Sequence, residues 1–361
     1  MLYKLSDIFD LQMGKTPSRD NNMYWKDGNL PWVSIADLSK SQIYIENSKD
    51  MITNLAAKDT LMKCIPQDTV IMSFKLSLGK TAITKTPLYT NEAIMAFIDK
   101  KVIQIEPIYI YFLFRNIKWG QYTNNAVKGK TLNKKFFSDF QIYIPEYTQQ
   151  TKIASILIRI NKILEYKHSL IKAYDVLIKS RFVEIFKNNK ARIAIGELFQ
   201  VIDGDRGKNY PKATDFFDEG YCLFLNAKNV TKNGFCFDTV QFITQQKDEQ
   251  LNKGRVLPED IILTTRGTVG NVAYCDIKSS HKYMRINSGM VILRSKDIIY
   301  DVDFITYVLS NQINYGKEIS GSAQPQLPIS KLKDIMIPFP EIFLQKDFGY
   351  LIKQINKLKF A

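Results

Sequence analysis

The chain has 361 residues, 45% hydrophobic and 24% charged, which is globular composition with enough length for two cores. No apolar run reaches the roughly eighteen residues of a membrane span, and the start, MLYKLSDIFDLQMGK, lacks the basic head and apolar core of a signal peptide. A formal net charge of +14 points to a polyanionic partner, most often nucleic acid. Cys64, Cys222, Cys236 and Cys275 are scattered without a CxxC, which suits a reducing cytoplasm better than a disulfide frame. His168 and His281 are too few for a zinc cluster.

In chain order, the first segment, 1–145, is strand-rich, with a helical piece near Tyr109 and Asn116. A segment without Gly or Pro follows, 146–190. Within it, positions 153, 157, 160, 164, 167, 171, 174, 178, 181 and 185 step by four and three, and Ile153, Leu157, Ile160, Leu164, Ile171, Tyr174 and Ile178 make an apolar seam. That period predicts a coiled-coil helix, and about 40 residues of helix measure roughly 60 Å. Segment 191–340 is again strand-rich: FCFDTVQFIT and DIILTTRGTVGNVAY carry β-branched and aromatic residues, Asn233-Gly234 is a turn signal, and a helical piece lies near Asp303 and Asn311. At 341–361 the four-three pattern returns as Leu344, Phe348, Leu351, Ile355 and Leu358. The two helices are expected to pair with each other, the distal one covering only about half of the central one.

The second half repeats the first. KLSDIFDLQMGKTPS from Lys4 returns as AIGELFQVIDGDRGK from Ala194, and NEAIMAF from Asn91 as NSGMVIL from Asn287. CIPQDTVIMSFKLSLGKTAI from Cys64 returns as VLPEDIILTTRGTVGNVAY from Val256, setting Pro66 against Pro258, Asp68 against Asp260 and Gly79 against Gly270. Leu132, Asp139, Pro145 and Gln150 answer to Leu327, Asp334, Pro340 and Gln345. Four echoes in one order at nearly one offset indicate a duplicated α+β domain; solenoid repeats are far shorter.

Familiar catalytic patterns are missing. The GKT tripeptides at 79–81 and 129–131 have Phe74 and Asn124 where a phosphate loop needs its first glycine. Asp260 sits at a strand entry without the lysine of a metal-dependent nuclease and reads as structural. The informative places are polar loops beside strands. GKTPSRD supplies Lys15, Thr16, Ser18 and Arg19; the next loops add Lys75 and Lys80, then Lys128, Lys130, Asn133 and Lys134. In the second copy GDRGKNYP supplies Arg206, Lys208, Asn209 and Tyr210, NAKNVTKNG supplies Asn226, Lys228 and Asn229, TTRGTVGN supplies Arg266 and Thr268, and SGSAQPQLP supplies Gln324 and Gln326. Arg and Lys suit guanine or phosphate and Asn and Gln suit adenine, so these are the candidate DNA contacts. Gly204, Gly207, Gly267 and Gly270 read as backbone devices.

GDRGKNYP, LNAKNVTKNGF, ILTTRGTVGNVAY, RINSGMVIL and SGSAQPQLPISKLKDIMIPFP, with GKTPS, LPWVSIADL and IYIPEYTQQTKIASIL in the first copy, resemble type I restriction–modification specificity subunits along nearly the whole chain. The resemblance implies two target-recognition domains, each followed by a helix, the two helices pairing antiparallel as a ruler. It implies a bipartite double-stranded DNA target, no catalytic site and no cofactor on this chain. It further implies two methylation subunits that use S-adenosylmethionine on adenine, and restriction subunits that use ATP and Mg, all in the cytoplasm. The distal helix departs from that pattern in being short. A two-domain DNA-binding protein outside restriction–modification, or a coiled-coil scaffold for proteins, would carry some of the same features.

Overall fold

The computed structural model describes residues 1–123, 132–276, 281–319 and 325–360. The chain divides into two compact units, Met1–Lys167 and His168–Ala361, and the division falls inside one helix, Tyr147–Phe186.

The first unit is built on a five-stranded sheet in the order Phe9–Met13, Ile94–Asp99, Val70–Ser73, Thr81–Thr84 and Tyr44–Ile45. All neighbours are antiparallel except the last pair. Val70–Ser73 and Thr81–Thr84 are buried on both faces, which is why their sequences are continuous apolar or small-residue runs. A three-stranded sheet joins Asp50–Ile52, Leu30–Val33 and Tyr89–Thr90. Helix Pro107–Asn116 begins with Pro in its first turn and Glu106 as its cap, and lays Ile110 and Phe114 into the core beside Phe97 and Phe137.

The second unit repeats this plan. Its main sheet runs Phe199–Asp203, Met290–Ser295, Ile261–Thr264 and Val272–Tyr274, antiparallel throughout. A second sheet joins Phe242–Ile243, Cys222–Leu225, Met284–Ile286 and Arg255–Val256. Helix Val302–Asn311 is capped by Asp301, whose carboxylate accepts the Phe304 N–H at 2.9 Å. FCFDTVQFIT does not form one strand: pairing is confined to Gly234–Phe235 and Phe242–Ile243. Between them Asn229 takes the carbonyls of Cys236 and Thr239, at 3.0 and 2.8 Å, out of reach of a ladder.

Each body closes on itself before its helix begins. Leu2–Lys4 pairs antiparallel with Gln141–Tyr143, and Arg192–Ala194 with Met336–Pro338. The repeated strand that runs into a proline is therefore the partner of the body's own first strand.

Inside the second unit the distal helix, Ile342–Phe360, lies antiparallel to the end of the central one. Phe348 meets Phe182 and Phe186 at ring distances of 5.4 and 5.6 Å, while Lys359 pairs with Asp175 at 2.6 Å. The expected register needs correction. Ile178, Phe182 and Phe186 are the buried row, with Phe348, Ile352 and Ile355 opposite, whereas Leu358 is exposed. The row steps by four rather than four and three because Phe182 also packs on the body's helix, through Phe304 and Tyr307. The pairing is thus a two-helix layer on a domain, with Tyr174, Leu344 and Leu351 at its margin. Further up the central helix Ile153, Ile160 and Leu164 are exposed, and Leu157 and Ile171 half-buried.

Candidate nucleic-acid interface

A hairpin turn occurs once in each unit, bond for bond. In the first, the Ser73 hydroxyl donates to the Ser77 carbonyl and accepts the Lys80 N–H at 3.0 Å, while Gly79 N–H donates to Ser73 O at 2.9 Å. In the second, the Thr264 hydroxyl donates to Thr268 O at 2.5 Å and accepts the Asn271 N–H at 2.9 Å, while Gly270 N–H donates to Thr264 O at 3.0 Å. Gly79 and Gly270 have φ of +80° and +96°, and a Cβ there would lie 2.7 Å from Trp119 or 2.9 Å from Tyr315. Trp119 and Tyr315 are themselves fixed, each donating to a helix-end carbonyl, Phe114 O and Leu309 O, at 2.8 Å. These bonds make both glycines obligatory.

With the scaffold repeated, the tips differ. Lys75 and Arg266 occupy the same place after the anchoring Ser or Thr, both half-buried. Lys75 lies 5.3 Å from the Phe74 ring. Arg266 Nη2 donates to Gln326 Oε1 at 3.1 Å, and the two residues form a backbone bridge. Its Nε is buried without a hydrogen-bond partner. Both turns are tied to the neighbouring strand's entry, Phe74 N–H donating to Ala93 O at 2.9 Å and Thr265 N–H to Gly289 O at 2.8 Å; in the second, Arg266 N–H also donates to Gly289 O and Gly267 N–H to Pro325 O, both at 3.1 Å.

The hydrogen bonds correct the sequence alignment by one residue here. Asp68 and Glu259 both have positive φ, +58° and +68°, and donate N–H to Thr84 O and Cys275 O, both at 2.8 Å. Asp68 is thus the counterpart of Glu259, not of Asp260. Asp260 is structural: it takes a bidentate bond from Arg294, both arms 2.8 Å, and caps Leu257 N–H at 2.7 Å.

The other candidates vary in how free they are. In the first unit Lys15 spends its ammonium on Thr60 O and Leu61 O, at 2.8 and 3.2 Å, and Thr16 donates to Glu92. Ser18 is exposed, and its carbonyl accepts the Trp25 indole N–H. Arg19 stacks on Trp25 at 3.8 Å and pairs with Asp50 at 2.7 Å. Lys80 and Lys134 are exposed, and Asn133 caps the helix Lys134–Asp139 through the Phe136 N–H. In the second unit Lys208, Lys228 and Thr268 are exposed, while Arg206 pairs with Asp203 at 3.3 Å. Asn209 donates to Gln250 O at 3.1 Å, Asn226 accepts the Lys228 N–H at 2.9 Å, and Tyr210 packs on Phe224.

Asn229 has to be withdrawn as a DNA contact. It is fully buried and its amide is used up, accepting Asn226 N–H at 3.0 Å and donating to Cys236 and Thr239. Lys128, Lys130 and Gln324 lie outside the described residues.

Sequence reasoning passed over what braces this face. Asp248, fully buried, binds Arg285 and Arg255, and Arg285 also donates to Leu251 O at 3.0 Å. Arg285 follows two aromatic or apolar residues in a strand-like run, so the only signal was an unneutralised cation at an inward position.

Two repeated α+β units, each holding the same turn with a different cation at its tip, define a duplicated protein in which one scaffold carries two different surfaces. The chain belongs to the type I restriction–modification DNA specificity family, whose pattern, described as "Type I restriction modification DNA specificity domain", matches residues 1–173 and again 188–359. It is a specificity subunit of a type I restriction enzyme, the non-catalytic chain of such an enzyme.

A relative from Methanocaldococcus jannaschii, the type I restriction enzyme MjaIX specificity subunit, is 27% identical over 95% of this chain and 84% of its own length. The EcoR124I/EcoR124II specificity subunit of Escherichia coli is 29% identical over 42% of this chain and 39% of its own. Among solved structures, the S subunit from M. genitalium aligns with a TM-score of 0.58 at 15% identity, over 99% of this chain and 90% of that one. A chain solved in work on complex assembly and conformational transition of the type I R-M system reaches 0.62 at 15% identity, over 100% and 91%. At those identities the likeness is one of fold.

Proposed function

We propose that each unit reads one half of a bipartite double-stranded DNA target, and that the helices set the gap between the halves. The observation that carries this reading is the repeated turn: identical anchoring, with Lys75 in one unit and Arg266 in the other. One scaffold with two different tips is what two unlike half-sites require. Phosphate contacts from exposed lysines such as Lys80 and Lys208 supply salt-dependent affinity, and base contacts supply sequence. Linking two weak readers makes the second binding event intramolecular, which multiplies affinity without new contacts.

In this reading two methylation subunits dock on the helices and methylate adenine with S-adenosylmethionine. Restriction subunits, with ATP and Mg, cleave DNA that lacks the mark. The setting is the cytoplasm, where host DNA is; no helix among the described residues is long and apolar enough to cross a membrane. Mapping N6-methyladenine across the host genome with and without this gene tests the reading. One bipartite motif should lose its methylation. An unchanged methylation map in a strain whose methylation subunits are active would overturn it.

A further inference from the structure

We propose that Arg266, its guanidinium plane set by Gln326, reads a single guanine in the half-site bound by the second unit, and that Lys75 reads a base from the same turn position in the first. The inference rests on the reading above and names the residue pair and the base.

Among the described arginines of the second body, Arg206, Arg255, Arg285 and Arg294 each pair with an aspartate, while the exposed Arg192 donates to the backbone carbonyls of Asn189 and Ala191. Arg266 instead has a neutral amide as its partner. Its positive charge is oriented but not cancelled within the body, which leaves it available to an external acceptor.

Geometry then selects the acceptor. Nε is buried without a hydrogen-bond partner, and Nη2 gives one of its hydrogens to Gln326. The donors left for an outside partner are those of Nη1 and the second hydrogen of Nη2, which together can act as an end-on fork. A fork of two parallel donors matches two adjacent acceptors, and in the major groove only guanine presents that pair, O6 and N7. A phosphate also offers two oxygens, but a contact that only neutralises phosphate needs no amide to fix its plane.

The turn holds this fork still. Backbone bonds from Thr265, Arg266 and Gly267, with the packing of Gly270 on Tyr315, leave the tip little freedom. Gln326 is therefore a positioning residue that acts through Arg266. In the first unit Lys75 stands on the same scaffold with a flexible ammonium in place of a planar fork, so the two units need not read the same base.

The test selects binding sites from a randomised double-stranded DNA library with the full chain assembled with the methylation subunits of its host. Arg266→Ala should relax one guanine position of one half-site by about 5- to 150-fold, the worth of one bidentate base contact. Arg266→Lys should restore that preference only in part. Gln326→Ala should relax the same position by less, and Lys75→Ala should alter only the other half-site. The half-site that is unchanged in each variant shows that the chain is folded and assembled. A uniform loss of affinity with an unaltered motif would make Arg266 a phosphate contact and sink the proposal, as would a motif indifferent to Arg266→Ala. If the wild-type complex selects no bipartite motif at all, the functional reading itself fails.

Discussion

Gln345 reaches from the first turn of the distal helix to the cap of another helix: its Oε1 accepts the Asp301 N–H at 3.1 Å while its Nε2 donates to Pro340 O at 2.7 Å. Gln150 does the same in the first unit, accepting Glu106 N–H at 2.9 Å and donating to Pro145 O at 3.0 Å. Both glutamines are buried. Each welds the start of a long helix to its recognition body. Gln345→Leu keeps the volume and leaves Asp301 N–H and Pro340 O unpaired, so the full chain should lose about 1–3 kcal/mol in urea unfolding. A change within error would show that water replaces the amide.

The helix pair depends on aromatic packing rather than on its ion pair. Phe348 is fully buried against Phe182, Phe186 and Tyr307, and Phe348→Ala should cost about 3–5 kcal/mol. Lys359→Ala breaks the bond to the mostly exposed Asp175 and should cost less than about 1 kcal/mol. Denaturant midpoints of the two variants would decide the ranking, and equal losses would refute it.

Acid should loosen the 204–211 loop. Burial tends to raise the Asp205 carboxyl, but N–H groups of Gly207, Asn252 and Lys253, with the Arg285 charge, outweigh it and hold it below the usual carboxylate range. A group lowered on folding contributes stability above its unfolded value of about 3.9 and loses it as pH falls through the lower folded value. Asp205→Asn should therefore flatten the acid limb of stability below about pH 4. An identical limb in wild type and variant would count against this.

Thiol reactivity should divide sharply. Burial, followed by the nearby Asp248 carboxylate, pushes the Cys222 thiol up to about 12, and burial with Asp260 pushes Cys275 up to about 11. Cys64 is exposed. At pH 8, N-ethylmaleimide on the native chain should modify Cys64 and spare Cys222 and Cys275. Peptide mapping reads the result directly, and rapid labelling of Cys222 would mean that its strand opens readily.

The duplication, the α+β class and the two helices were legible because each leaves a periodic or repeated mark. The helix register was not, because a period of 3.5 assumes that only a second helix is being packed, whereas Phe182 also meets Phe304 and Tyr307. Pro66 and Pro258 misled the alignment by one residue; identity of side chain lost to identity of backbone, visible only in the positive φ of Asp68 and Glu259. Asn229 looked like its neighbours in a polar loop, since sequence does not tell an amide that brackets a loop from one that faces out. The pairing of Arg266 with Gln326 spans two loops that lie far apart in the chain and that only the fold brings together.

In the second unit the chain enters and leaves its recognition body at one point, where Phe339 N–H donates to Ala191 O at 3.1 Å and Arg192–Ala194 lies against Met336–Pro338. Topologically, that body is an insertion into a helical hairpin. A whole body of different sequence could be spliced between residues 191 and 339 with the helical rim of Ile178, Phe182, Phe348 and Ile355 unchanged in sequence, as long as it offers that rim an apolar face in place of Phe304 and Tyr307. Such a cassette would change the word that is read and leave the handle unchanged, provided that it keeps the short edge ribbon and a helix cap in the place of Asp301 for the handle's Gln345 to hold.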